Sequence, residues 1–242
     1  MIDARFQARS LEKLETEVNA LLKEMAKADG LRDEPITDGV VDVSRYAVSS
    51  PKMLWILKEP WEIRENNEAL GGWSLTQELL AKGRVDNKGA FAPMAYVTYS
   101  VFNNYLPWSE IPYVSKDAKV RESLLSIAYI NVKKFPGKKR SYNPEIAEYY
   151  GKYKGVLLNQ ITGINPEIII GGSTLHLFFS DLGLQKTMFR SAGSASFCIH
   201  DGRLYIAAYH PSQRTIGKAK YVDDITTVIK KNWNGRMFRA AT

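Results

Sequence analysis

Three apolar runs in this chain end in residues able to do chemistry. Leu204-Tyr205-Ile206-Ala207-Ala208 leads into Tyr209-His210-Pro211-Ser212. Met53-Leu54-Trp55-Ile56-Leu57 leads into Lys58-Glu59-Pro60-Trp61, and Ile127-Ala128-Tyr129-Ile130 into Asn131-Val132-Lys133-Lys134. Continuous apolar runs of this length are the pattern of strands covered on both faces. Open α/β sheets place their ligands outside the carboxyl ends of such strands. An imidazole, a carboxylate and an amide at three such ends supply an N–H donor, an anion and a donor–acceptor pair. Glu59, set between an apolar strand and a proline and flanked by Trp55 and Trp61, is expected to be partly desolvated, where it can orient water or stabilise a developing cation. Each residue alone has a plainer account, a surface Glu or a structural strand-end His; the coincidence at three equivalent positions carries the functional one.

The elements that must position these residues follow from periodicity and turn signals. Leu11, Leu14, Val18, Leu21, Leu22 and Met25 repeat at helical spacing, so residues 1–28 are expected to form an amphipathic N-terminal helix ended by Gly30. Strands are expected at 53–57, 127–132, 166–172 and 203–209, the last pairing with 197–200 through the Asp201-Gly202 turn. Helices are expected at 74–82, 93–105, 116–126, 143–162 (Asn143 as cap, Pro144 in the first turn), 174–181 and 221–232. Weak strand character marks 40–43, and 62–114 is a long insertion between the first two core strands. Alternating strands and helices predict one α/β domain over residues 1–242, three layers (α/β/α) around a parallel-centred sheet.

Composition narrows the class. The chain has 242 residues, 45% hydrophobic and 24% charged, as expected for a soluble globular protein. No apolar run reaches the ~20 residues that span a bilayer, and the N-terminus lacks a signal-peptide pattern. A cytoplasmic monomer is the expectation. One cysteine, Cys198, supplies neither an internal disulfide nor an iron–sulfur cluster, and the three histidines lie in separate elements, so no metal and no cofactor are expected. A net charge of +7 favours a polyanionic partner. Lys133, Lys134, Lys138, Lys139 and Arg140 surround Phe135-Pro136-Gly137, a basic loop with an aromatic in it that suits phosphate contacts. The later group, Lys218, Lys220, Lys230, Lys231, Arg236 and Arg239, reads as a solvated helix face. Gly171-Gly172-Ser173 lacks the spacing of a dinucleotide fingerprint or a P-loop and reads as a tight strand-to-helix turn.

The three strand ends together resemble the uracil-DNA glycosylase superfamily. Leu57-Lys58-Glu59-Pro60-Trp61 is similar to its first motif, Gly-Gln-Asp-Pro-Tyr and variants. Asn131 stands where its middle strand ends in a base-reading asparagine. His210-Pro211-Ser212-Gln213-Arg214 is similar to its last motif, with Arg at the wedge position as in the single-strand-selective monofunctional branch. The resemblance spans residues 53 to 232 in order and is near-literal only at His-Pro-Ser. Here Glu replaces the usual Asp or Asn, Lys58 a glutamine and Leu57 a glycine.

What the resemblance implies is a uracil-DNA glycosylase-like fold and hydrolysis of the N-glycosidic bond of uracil or a related damaged base in DNA, single- or double-stranded. Glu59 and His210 would be catalytic, the first positioning water beside a cationic sugar, the second supporting negative charge on the departing base. Asn131 would read the base edge, with Pro60 and Trp61 beside it. Trp73, 14 residues past Glu59, would stack on the base, with Phe91 in reserve. Ser212 would bind a flanking phosphate and Arg214 would fill the gap left in the duplex. Two other readings stand beside this one: a catalytically inactive nucleic-acid or nucleotide-binding module of the same fold, and an α/β domain whose pocket serves an unrelated small molecule.

Overall fold

A computed structural model describes residues 4–61, 71–77, 89–137 and 140–233. Lys138, Lys139, Arg236, Arg239, most of the 62–90 stretch and the end of the 74–82 helix lie outside them.

Seven strands form one sheet: β1 (Gly39–Val40), β2 (Met53–Leu57), β3 (Ala128–Asn131), β4 (Ile168–Gly172), β5 (Arg190–Ala192), β6 (Ala195–His200) and β7 (Arg203–Ala208). Their order is β1-β3-β2-β4-β7-β6-β5. The central four, β3, β2, β4 and β7, are parallel, while β1 closes one edge antiparallel and β6 and β5 the other. Counted along the chain, the parallel strands sit second, first, third, fourth. The direction of winding therefore reverses between β2 and β4, and that reversal opens a crevice at their carboxyl ends.

The central strands are largely apolar because both faces of the sheet are covered there. Met53, Trp55 and Leu57 of β2 point into a core shared with α3 (Phe91–Phe102) and α6 (Lys218–Asn232), while Leu54 and Ile56 point into another shared with α1 (Ala4–Ala28) and α5 (Asn143–Ile164). Leu11, Val18, Leu22 and Ala26 are the buried stripe of α1; Leu21, placed in that stripe by spacing, is 40% exposed. Two short helices, α2 (Val43–Val48) and α4 (Ala118–Glu122), complete the described set.

Several local expectations are corrected. Of the strand character at 40–43 only Val40 is in a strand, β1; the chain then turns into α2, which Asp42 caps by accepting from the Arg45 amide at 3.0 Å. Asn143 does not cap α5; Tyr142 holds that position, and α5 runs to Ile164 before left-handed Asn165 ends it. The 174–181 helix shrinks to a 3-10 turn, Leu175–Phe178, whose cap residue Thr174 makes no side-chain capping bond. The exposed strand β5 carries no apolar alternation and was not legible. At Asp201-Gly202 both residues have positive φ, 46° and 72°, as a two-residue hairpin requires.

Candidate functional site

The register fixes the site. Leu57 lies opposite Asn131, Ile56 opposite Gly171 and Gly172 opposite Ala208, so the four parallel strands end level. Glu59, Asn131 and His210 thus all stand at one carboxyl edge. The outermost two of these ends, on β3 and β7, are three strand spacings apart, roughly 14 Å. Pairing continues past the strands, with the Val132 and Lys133 amides donating to the Leu57 and Lys58 carbonyls at 2.9 Å.

That continuation brings Glu59 against Lys133. Lys133 Nζ lies 3.4 Å from Glu59 Oε2 and 2.6 Å from Glu145 Oε1, with both the Glu59 and Lys133 side chains almost fully buried. Burial works to lower the Lys133 pKa, but its hydrogen bond to Glu145 and the charges of Glu59 and Glu145 prevail and hold it above the ordinary lysine value. The 135–137 segment closes over the pair: the Gly137 amide donates to the Pro60 carbonyl at 2.9 Å, and a Cβ on Gly137 would lie 2.5 Å from Glu59 Cγ and Cδ. Only glycine lets the backbone pass there. Glu59 Oε1 is buried and takes no hydrogen bond from the described residues.

Asn131 belongs to a second buried cluster. Its backbone amide donates to Asp38 Oδ2 at 2.7 Å and its side-chain Nδ2 to the same oxygen at 3.3 Å. Asp38 also forms an ion pair with Lys134 and accepts from Gln160 Nε2 at 3.4 Å. Burial lowers the Lys134 pKa, with Asp38 opposing. Nearby Glu15 accepts from the Val40 amide at 2.9 Å; burial foremost pushes its carboxyl up to about 7, that hydrogen bond working against it and the Asp38 charge adding to it.

Lys133 and Lys134 are therefore not surface residues of a basic loop. Both are buried and already paired with carboxylates, because the β3 ladder carries them inward. Of that group Arg140 alone is exposed among the described residues.

At the end of β7 the His210 amide donates to Ser173 Oγ at 3.0 Å. The ring Nδ1 accepts from the Ser212 amide at 3.3 Å and lies 2.8 Å from Ser212 Oγ. A backbone N–H can only donate, so this network assigns the neutral ring's proton to Nε2. Burial, helped by the Lys58 charge, lowers the His210 pKa from 6.5 to about 4. By linkage, the stability this ring contributes is complete above pH 6.5 and is lost as pH falls through 4. In ¹⁵N-detected NMR the Nε2–H tautomer should persist below pH 5; a ring midpoint at or above 6 would contradict the burial assigned to it.

Beyond His210, Gln213 closes a short loop on itself: Nε2 donates to the Ile216 carbonyl at 3.0 Å and Oε1 accepts the Ile216 amide at 2.8 Å. Arg214 and Thr215 are left exposed at its tip. Pro60 is buried and Trp61 is 60% exposed. Trp73 and Phe91 are half-buried against the core that holds Trp55 and Tyr129, with Phe91 edge-on to Tyr129 at 5.7 Å. A cavity of about 580 Å³ lies one strand further along the edge, lined by Ser173, Ser194, Ser196, Tyr209 and Lys220 among others. It shares Ser173 with the site but contains none of Glu59, Asn131 and His210.

Sequence reasoning missed Asp38, Glu145, Gln160 and Gln213. Gln213 had a signal in its adjacency to His-Pro-Ser. The others meet their partners only through the fold. No group of three or more metal-ligating side chains occurs among the described residues, and no described helix is long and apolar enough to cross a membrane. No protein-family model matches the chain, and no curated protein matches it.

Proposed function

We propose that this chain is a DNA glycosylase of the uracil-DNA glycosylase type, hydrolysing the N-glycosidic bond of uracil or a related damaged base. The observation that carries the proposal is the pairing at one sheet edge of a neutral imidazole, its Nε2–H free of described partners, with a carboxylate that has one oxygen held by Lys133 and the other unengaged. In that chemistry the glycosidic electron pair leaves with the base, water oxygen bonds the sugar C1′, and the proton that water gives up ends on the released base. His210 Nε2–H faces the negative charge on the base, and Glu59 Oε1 faces the water and the cationic sugar once the 135–137 segment admits them. The target nucleotide is flipped from the stack, Asn131 reads its edge, Pro60, Trp61 and Trp73 flank it, Ser212 takes a phosphate and Arg214 fills the gap. Arg140, with Lys138 and Lys139, meets the DNA backbone.

A second reading, a nucleic-acid or nucleotide-binding module without base release, is favoured by one specific observation: Glu59 lies beneath Gly137 and in an ion pair with Lys133. Oligonucleotides carrying uracil, xanthine or hypoxanthine, single- and double-stranded, separate the two. Release of one of these bases, leaving an abasic site, is the expected result. Binding without release from any of them would put the binding module in its place.

A further inference from the structure

Lys58 is a cation at this edge with no carboxylate partner among the described residues. Lys133 is held by Glu59 and Glu145 and Lys134 by Asp38, whereas Lys58 Nζ touches only a neutral acceptor among the described residues, Asn143 Oδ1 at 2.9 Å. That single bond leaves two of its three N–H donors unused. Its position is the winding reversal itself. Thr174 Oγ1 donates to the Ile56 carbonyl at 2.7 Å, tying the turn after β4 to the end of β2. Lys58 lies two residues beyond Ile56, and the exposed His176 two residues beyond Thr174. The end of β4 is close-packed there, since a Cβ on Gly172 would lie 3.0 Å from both Leu57 Cδ2 and Pro211 Cδ.

We propose that Lys58 and His176 form a phosphate-binding site at the mouth of the crevice between β2 and β4. The Lys58 ammonium supplies charge and two hydrogen bonds, and the His176 ring adds a further N–H donor. The Lys58 charge also falls on both histidines: after burial, it is the second cause lowering the pKa of His176 and of His210. An anion bound to Lys58 offsets that charge and reverses its effect on His176. This inference needs only an anion, so it stands whether or not the protein releases a base.

The test follows the His176 ring by NMR while inorganic phosphate is titrated into the full chain at constant ionic strength. A saturable shift with a rise in the His176 midpoint is expected. Lys58→Met should weaken that binding about tenfold or more, the loss of one charge-assisted contact, and Lys58→Arg should restore most of it. Thymidine 5′-monophosphate and an oligonucleotide lacking terminal phosphates are then titrated in turn. Saturation by the first alone assigns a phosphomonoester, and saturation by the second a phosphodiester within a strand. A non-saturable shift, or one unchanged in Lys58→Met with that variant's circular dichroism and urea midpoint intact, would overturn the site. Should Lys58→Met not fold, Lys58→Gln gives the same reading.

Discussion

Glu59→Gln should cut base release by about 10²–10³-fold, the scale of loss when an electrostatic contact to a transition state is removed. Gln matches Glu in size and keeps an oxygen to face Lys133, so the buried space stays filled. Lys133 retains Glu145 at 2.6 Å, so its ammonium is not stranded when Glu59 loses its charge. Binding of a substrate oligonucleotide should change little, since the lost stabilisation belongs to the cationic sugar and not to the ground state. Single-turnover release and equilibrium DNA binding, measured on the same preparation, check both halves. A loss under tenfold would remove Glu59 from the chemistry and leave it as the structural partner of Lys133.

How much of this was legible in the sequence follows from the range of the forces involved. Strand β2 was read to the residue because five consecutive apolar side chains fit a strand buried on both faces. The hairpin was read because Asp201-Gly202 is a local turn signal. The level ends of β2, β3, β4 and β7 followed from where each apolar run stopped. What failed was burial of charge. Lys133 and Lys134 in a stretch with Pro136 and Gly137 have the composition of a surface loop, and nothing local says that Asp38, 96 positions from Lys134, turns inward to meet it. Asn131 was correctly placed at a strand end, yet its amide partner sits 93 positions away. Pairings over such separations are made by the sheet order, which puts β1 beside β3 and so delivers the preceding residue, Asp38, to the end of β3. A helix cap on Asn143 was expected from residue type alone, but Tyr142 holds the cap position and the Asn143 side chain accepts from Lys58 instead.

The largest effect on stability is expected at Asp38. Asp38→Ala removes the counterion of a fully buried lysine, the acceptor of the buried Asn131 amide and one acceptor of Gln160. Breaking a buried pair by deleting one partner costs about 3–5 kcal/mol, because the remaining charge is left in a medium that does not solvate it. The chain relieves part of that cost by deprotonating Lys134, whose pKa is lowered even with Asp38 present. That relief has a sign. With the folded pKa below the unfolded one, the unfolded state binds the extra proton, so the variant should gain stability as pH rises toward the ordinary amine value of about 10.4. Adding Lys134→Met to Asp38→Ala should recover much of the loss, since an apolar side chain has no charge to strand, leaving mainly the unmet Asn131 amide at about 1–3 kcal/mol. Urea unfolding of the wild type, the single and the double variant at pH 7 and pH 9 measures all three statements. A double variant no more stable than Asp38→Ala would show that the cluster is held by the Asn131 and Gln160 hydrogen bonds and not by the Asp38–Lys134 pair. Because the same carboxylate oxygen fixes the backbone and the amide of Asn131, Asp38→Asn isolates its positioning role. It retains an acceptor for the Asn131 amide while removing the charge, so the strand end keeps its place although Lys134 loses its partner.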